Sequence, residues 1–167
     1  MTTNVLTSSE SIGRVARSFS ATGVREQLEQ TRSPVISIGK ASIPKWLDQT
    51  TSKLYAILSL EDNWDSYGAK RISNRVADAA TELLCNIMQA NTPAPQVVPS
   101  ANGSIQLEWH LAGVDLEIEV ESANASKVFF EDSLNEESAW EGEISFDLTK
   151  LVDYISILTT RAQRSTH

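Results

Sequence analysis

Residues 104–121 constrain the fold more than any other stretch, because apolar and polar side chains alternate along them in two successive runs. The apolar members of these runs are Ile105, Leu107, Trp109 and Leu111, then Val114, Leu116, Ile118 and Val120. A period of two residues is typical of a strand with one face in a core. A two-residue turn at Ala112 and Gly113 pairs residue 111 with 114, 109 with 116, 107 with 118 and 105 with 120. Every apolar residue then faces another apolar residue, so the sequence predicts an antiparallel hairpin in this register.

Two helices are predicted before the hairpin. Apolar residues at the helical period follow Pro44, which suits the first turn of a helix, and recur after Ser73, a plausible N-cap. Cys85 falls in the second helix, where we expect a small, buried or half-buried side chain rather than a nucleophile. Three prolines between residues 93 and 99 predict a stiff, extended connector into the hairpin.

Two further strands and a last helix are predicted after the hairpin. The third strand covers residues 127–131 and the fourth covers residues 140–146, and one side of the fourth carries Trp140, Ile144 and Phe146. Asp147 is expected to cap the final helix. The predicted fold is therefore α+β: an antiparallel meander of about four strands, with two helices before it and one C-terminal helix packed on its apolar face.

Composition divides the chain near residue 42. Thirteen Ser and Thr residues fall within the first 42 positions, which contain few large apolar side chains and no sustained period. Such a stretch buries too little apolar surface to offset the entropy lost on ordering. The sequence therefore predicts a flexible, Ser/Thr-rich N-terminal extension over residues 1–42 and a single α+β domain over residues 43–167.

The acidic residues are concentrated in the predicted sheet. The whole chain has 22 acidic and 14 basic residues, for a net charge of −8, whereas residues 105–147 contain twelve acids and one base, Lys127. This balance argues against binding to nucleic acid or to an anionic membrane, because both depend on Lys and Arg. The single cysteine excludes an internal disulfide framework and a Cys-rich zinc site. No apolar run approaches the length of a membrane span and no secretory signal follows Met1, so we expect a cytoplasmic protein.

The predicted register brings acidic residues face to face. Three cross-strand pairs result: Glu108 with Glu117, His110 with Asp115, and Gln106 with Glu119. Like charges directly opposite each other across two strands cost a few tenths to about 1 kcal/mol per pair. Three interpretations stay open: a solvated surface, a surface that binds a basic protein, and a divalent-metal or acid–base site at Glu108, His110 and Glu117.

We favour the protein-binding interpretation because the acids extend further along the chain. They continue through Glu131, Asp132, Glu136, Glu137, Glu141 and Glu143. An extended patch suits a protein partner, whereas a metal needs three or four convergent ligands. One histidine without a second is a weak zinc signal, so no metal, cofactor or catalytic residue is predicted. The predicted contact residues on the sheet are Glu108, His110, Asp115, Glu117, Glu119, Glu141 and Glu143.

A loop at residues 63–69 contains two aromatic residues, Trp64 and Tyr67. Asp65 is expected to accept hydrogen bonds from backbone N–H groups, and Gly68 to take a positive φ angle. The two aromatic side chains either cover an edge of the core or anchor a binding interface, since Trp and Tyr are common interface hot spots. We include Trp64 and Tyr67 among the predicted partner-binding residues.

Several of these motifs resemble a family of small, largely uncharacterised bacterial proteins. They are Asn-Trp-Asp-x-Tyr-Gly-Ala at residues 63–69, Pro-x-Val-Val-Pro at 95–99, Ile-Gln-Leu-Glu-Trp at 105–109 and Leu-Glu-Ile-Glu-Val at 116–120. The resemblance covers about residues 46–146. It implies a cytosolic bacterial α+β protein, and it transfers no activity and no catalytic residue.

These patterns predict a non-enzymatic, acidic interaction protein. Such a protein would bind and mask a basic protein surface, as an antitoxin, an immunity protein or an inhibitor does. Two alternatives remain: a small divalent-metal-dependent enzyme using Glu108, His110 and Glu117, and a secretion-type chaperone. The chaperone would require a dimer with exposed apolar grooves, and the sequence leaves the oligomeric state open.

Overall fold

Three helices and five strands form the part of the chain that the computed structural model describes, residues 43–135 and 138–165. In chain order they are α1 (Lys45–Leu58), α2 (Asn74–Ile87), β1 (Gln96–Pro99), β2 (Ile105–Leu111), β3 (Val114–Ser122), β4 (Ala125–Asp132), β5 (Trp140–Ile144) and α3 (Thr149–Arg164). The strands form one antiparallel sheet in the order β1-β2-β3-β4-β5. The predicted α+β meander is confirmed, with one strand more than expected. The extension predicted at residues 1–42 lies outside the described residues.

The additional strand is the proline-rich connector. Residues 96–99 are extended, as predicted, and they also pair with β2, from Gln96 opposite Glu108 to Pro99 opposite Ile105. A proline cannot donate to a sheet ladder and is confined to edges and strand ends. Because β1 lies at the edge of the sheet and Pro99 is its last residue, the prolines are tolerated there.

The predicted hairpin register is confirmed at every pair from Ile105–Val120 to Leu111–Val114. Ala112 and Gly113 both have positive φ angles, 55° and 74°. A two-residue turn with two positive φ angles follows the right-handed twist of the flanking strands. The turn therefore matches the register that the alternation of apolar residues requires.

One face of the sheet is buried beneath the helices. The side chains of Trp109 and Phe130 are at most 1% exposed, and Tyr154 of α3 stacks on Phe130 with ring centroids 3.7 Å apart. The indole N–H of Trp109 donates a hydrogen bond to the carbonyl of Pro93 at 2.8 Å. The core therefore joins the sheet, α3 and the segment that precedes β1.

Two side chains differ from the sequence prediction. Phe146 was expected on the apolar side of the last strand, but β5 ends at Ile144 and Phe146 is 80% exposed. Cys85 is exposed on α2, because the buried stripe of that helix uses the residues on either side of it, Leu84 and Ile87 among them.

Asp147 accepts a hydrogen bond from the backbone N–H of Thr149, where α3 begins.

Candidate functional site

The face of the sheet opposite the helices carries most of the predicted binding residues. We call it the acidic face and define it by three rows of residues that lie side by side across the strands. The rows are Gln96, Glu108, Glu117, Phe129 and Glu141; Val98, Gln106, Glu119, Lys127 and Glu143; and His110, Asp115 and Glu131. All seven sheet residues predicted from the sequence lie on this face. We call the first row the central row.

One end of the acidic face is held by Lys127. Its ammonium group pairs with the carboxylates of Glu119, at 3.8 Å, and of Glu121. The hydrogen bond to Glu121 raises the pKa of Lys127, and the nearby charges of Glu121, Glu119 and Glu143 add to that shift. Within the described residues, Lys127 is the one Lys or Arg that forms an ion pair with this face. The described part of the central row has no Lys or Arg partner, and its Glu108 and Glu117 lie near His110 instead.

Glu119 is held in place by the turn between β1 and β2. The Ser104 hydroxyl donates to Glu119 Oε1 at 2.6 Å, and the side-chain amide of Asn102 donates to the same oxygen at 3.0 Å. These two hydrogen bonds, the first above all, lower the pKa of Glu119. Ser104 itself is buried. Glu119 therefore has a structural role that its position in the sequence pattern did not reveal.

His110 lies among three carboxylates. Its Nδ1 is 2.9 Å from Asp115 Oδ1, and its Nε2 is 3.7 Å from Glu108 Oε2 and 4.0 Å from Glu117 Oε1. The hydrogen bond with Asp115 raises the pKa of His110, with smaller contributions from the charges of Asp115, Glu108 and Glu117. Protonation of this ring reduces the negative charge of the acidic face.

We expect Asp115→Asn to lower the pKa of His110 toward its ordinary value near 6.5, because the substitution removes the largest cause of the shift. A group whose folded-state pKa is raised stabilises the fold below its unfolded pKa, and this contribution is lost as pH rises through the folded value. The variant should therefore lose more stability at pH 5 than at pH 9. An NMR titration of the His110 ring, with chemical unfolding at both pH values, measures both effects; an unchanged His110 pKa would contradict the assignment.

The metal-enzyme alternative requires Glu108, His110 and Glu117 to form a site that can hold a metal ion. Within residues 43–135 and 138–165, no group of three or more His, Cys, Asp and Glu side chains could hold a metal ion. His110 Nδ1 is occupied by Asp115, and its Nε2 lies 3.7 Å from the nearer of the other two carboxylates. His110 is therefore surrounded by three carboxylates of the acidic face.

Phe129 lies within the central row and was not predicted as a site residue. It is half-buried, with Glu117 directly opposite on β3 and Glu141 directly opposite on β5. An open groove of about 550 Å³ runs along this part of the sheet, and its lining includes Phe129, Glu117, Glu119 and Glu141. Adjacent residues of a strand point to opposite faces, so one of the two neighbouring phenylalanines of β4 had to lie on the acidic face. This alternation could have predicted Phe129 as a site residue.

Asp132 lies on the other side of the sheet, so its assignment to the acidic patch was wrong. Its side chain is 4% exposed and accepts two hydrogen bonds from the guanidinium of Arg161, at 2.6 and 2.7 Å. These bonds, together with one from the backbone N–H of Leu134, hold the pKa of Asp132 below its ordinary value. The pair joins the end of β4 to α3. Glu136 and Glu137 lie outside the described residues.

The 63–69 loop has the predicted local structure. Asp65 Oδ1 accepts hydrogen bonds from the N–H groups of Tyr67 and Ala69, and Gly68 has a φ angle of 96°. The indole of Trp64 is half-buried and donates to the Lys70 carbonyl, within its own loop, whereas Tyr67 is 93% exposed. No hydrogen bond or ion pair among the described residues joins these two side chains to the acidic face. Their role in binding stays a prediction.

The fold and the site together define an α+β protein with one helix-covered face and one acidic face on its sheet. No family model, no curated protein and no solved structure matches the chain. The family resemblance of its motifs therefore stays a prediction. None of the helices in the described residues is both long enough and apolar enough to cross a bilayer.

Proposed function

We propose that this protein is a non-enzymatic binding protein whose acidic face covers a basic surface of another protein. The observation that carries the proposal is the set of carboxylates that the meander aligns on one sheet face, seven of them in the three rows beside a single lysine. Complementary charge of this kind speeds association and excludes partners of the wrong sign. Antitoxins, immunity proteins and inhibitors that mask a positively charged site are the class that fits best.

The direct pairing of like charges supports this proposal over a merely solvated surface. Glu108 lies opposite Glu117, and Asp115 lies opposite Glu131. While His110 is neutral, each such pair costs a few tenths to about 1 kcal/mol in the free protein. A basic partner would offset that cost on binding, because its cations would lie between the paired carboxylates. Partner binding would therefore account for charges that do not stabilise the fold.

Phe129 gives the acidic face an apolar centre. Protein interfaces typically combine an aromatic residue near the middle with a polar rim, and the aromatic residue supplies much of the binding energy. Here the rim beside Phe129 consists of Glu117 and Glu141. An arginine or lysine of the partner could pack its aliphatic stem on the ring and pair its charge with these carboxylates.

The family resemblance leads us to propose a bacterial, cytoplasmic protein with a partner in the same compartment. Nothing about the acidic face requires a dimer with apolar grooves, so the secretion-type chaperone remains the weaker proposal. The metal-dependent enzyme is also a weaker proposal: Glu108 and Glu117 lie 3.7 and 4.0 Å from His110 Nε2, but no group of three or more of the described His, Cys, Asp and Glu side chains could hold a metal ion.

The proposal is tested by affinity capture from a lysate of the source organism at low and high salt. The bait is the wild-type chain or a variant with Glu108→Gln, Glu117→Gln and Glu141→Gln, which neutralises the central row without changing side-chain size. Glu119 is left intact because of its hydrogen bonds to Ser104 and Asn102. We expect a basic protein that the wild type captures at low salt, that high salt releases, and that the variant fails to capture.

The matched control removes three exposed acids from the helices, through Asp78→Asn, Glu82→Gln and Asp153→Asn. It changes the net charge by the same amount and leaves the acidic face unchanged, so it should capture the same partner as the wild type. Capture that survives the central-row variant, or that both variants lose equally, would contradict the proposal.

A further inference from the structure

Strand β5 has a free edge within the described part of the chain. It pairs with β4 on one side, from Phe129–Glu141 to Lys127–Glu143, and no other described strand lies beyond it. An edge strand presents unpaired backbone N–H and C=O groups, which can form hydrogen bonds to another extended chain. The free edge lies beside the acidic face, since Glu141 and Glu143 project from β5 onto that face.

The two edges of the sheet differ in their ability to accept another strand. The opposite edge, β1, has four residues, ends at Pro99 and follows Pro95. Strand β5 has five residues and no proline, and its two glutamates are exposed. Neither Glu141 nor Glu143 has an ion-pair partner within 4 Å among the described residues, because Lys127, opposite Glu143, is engaged by Glu119 and Glu121.

The charges on β5 disfavour a second copy of this chain at the same edge. An antiparallel pair of β5 strands centred on Gly142 would place Glu141 of one copy opposite Glu143 of the other. Like charges directly opposite each other destabilise such a pair, and charged residues on an edge strand are a common protection against self-association. The same two glutamates favour an incoming strand that carries Lys or Arg at alternate positions.

We propose that β5 accepts an extended segment of the basic partner as a sixth strand of the sheet. This inference rests on the proposed function and names how the partner is held. The segment would have the pattern basic–apolar–basic, with its basic residues opposite Glu141 and Glu143 and its apolar residue opposite Gly142. Backbone hydrogen bonds supply affinity and the alternating side chains supply specificity.

Gly142 and Trp140 explain the apolar position of that pattern. A side chain at position 142 would point toward the helix-covered side of the sheet. A Cβ atom added to Gly142 would lie 2.6 Å from the Trp140 ring. The indole therefore lies across Gly142, with the ammonium of Lys150 4.1 Å from its ring centre. A partner residue opposite Gly142 would pack beside this half-buried ring, which suits an aliphatic side chain and not a charged one.

The test uses the full chain and the synthetic peptide Thr-Val-Lys-Val-Lys-Val-Thr as the probe. Binding is measured by calorimetry, and the exchange of the β5 backbone amides is followed by NMR. We expect binding that slows exchange of the outward-facing β5 amides at least about tenfold. The peptide with both Lys replaced by Glu should not bind. Two further peptides carry backbone N-methyl groups, one at the odd-numbered residues and the other at the even-numbered residues. One of the two should lose binding, because only every second N–H group of the bound peptide points at β5.

The outcomes separate the two proposals. Peptide binding that depends on the central row but leaves the β5 amides unprotected, or that tolerates both patterns of N-methylation, overturns strand addition and leaves the acidic interaction surface standing. Failure of the Lys peptide to bind, while the captured basic protein still binds, also overturns strand addition. Failure of both to bind overturns the proposed function as well. Slower β5 exchange without peptide as protein concentration rises would show that a second copy occupies the edge, and would overturn the inference.

Discussion

Replacing Trp109 by alanine should lower the free energy of unfolding by about 3–5 kcal/mol, the usual cost of removing a large aromatic side chain from a core. Trp109 is 1% exposed on β2, and its indole N–H donates to the carbonyl of Pro93. The substitution therefore leaves a cavity and a carbonyl without its hydrogen bond. Equilibrium unfolding in urea, read by circular dichroism, measures the loss.

The control for Trp109 is Trp64→Ala. Trp64 is half-buried, and its indole N–H donates to the carbonyl of Lys70, six residues further along the chain, so its loss should cost much less than that of Trp109. Trp109→Phe should fall between the two, because it keeps most of the packing and loses the bond to Pro93. Equal losses for Trp109→Ala and Trp64→Ala would contradict the placement of Trp109 at the centre of the core.

Arg161→Ala should lower the free energy of unfolding by about 2–3 kcal/mol, within the range for losing hydrogen bonds to a charged group. The substitution leaves the buried carboxylate of Asp132 without its two guanidinium bonds. Arg164→Ala is the matched control, because it removes an exposed arginine from the same helix end. Urea unfolding at pH 7 compares the two, and similar losses would contradict a specific role for the pair.

The contribution of the Asp132–Arg161 pair should depend on pH. The pKa of Asp132 is lowered in the folded protein, mainly by the hydrogen bonds from Arg161. A group with a lowered folded pKa stabilises the fold above its unfolded pKa, and that contribution is lost as pH falls through the folded value. The difference between wild type and Arg161→Ala should therefore be full at pH 7 and shrink as the pH falls below about 4. A difference that stays constant into the acid range would contradict this assignment.

The hairpin was predictable because its determinants are local. Alternation fixes which side chains share a face, and the two-residue turn at Ala112 and Gly113 fixes which residues pair. The sequence therefore sufficed to place the five candidate binding residues of the hairpin on one face of the sheet. The 63–69 loop was predictable for a similar reason, since Asp65 and Gly68 act within a few residues of their own positions.

The features that the sequence missed depend on contacts between distant residues. Asp132 looks like one more acid of the patch, and its partner Arg161 lies 29 residues away on another element. Glu119 is bound by Ser104, which precedes the strand that pairs with its own. The strand pairing of β1 depends on the edge of a sheet that forms later in the chain. None of these follows from local periodicity.

The opposed carboxylates of the acidic face should lower the stability of the fold and raise the affinity for the partner. Neutralising Glu108, Glu117 and Glu141 removes the repulsion between the directly opposed Glu108 and Glu117, so at pH 9, where His110 is neutral, the fold should keep or gain stability. If these carboxylates served the fold, their loss would instead destabilise it. Stability and partner binding therefore respond in opposite directions to the same three substitutions.

The most direct test of the acidic face measures both responses on the same proteins. The purified basic partner is titrated with wild type, the central-row variant and the helix control, and each of the three is unfolded in urea at pH 9, where His110 is neutral. We predict that the central-row variant binds at least about 100-fold more weakly, since close charge pairs at interfaces contribute about 1.5 kcal/mol or more each. Its free energy of unfolding should equal or exceed that of the wild type, and the helix control should bind normally. Wild-type affinity in the central-row variant would contradict the account.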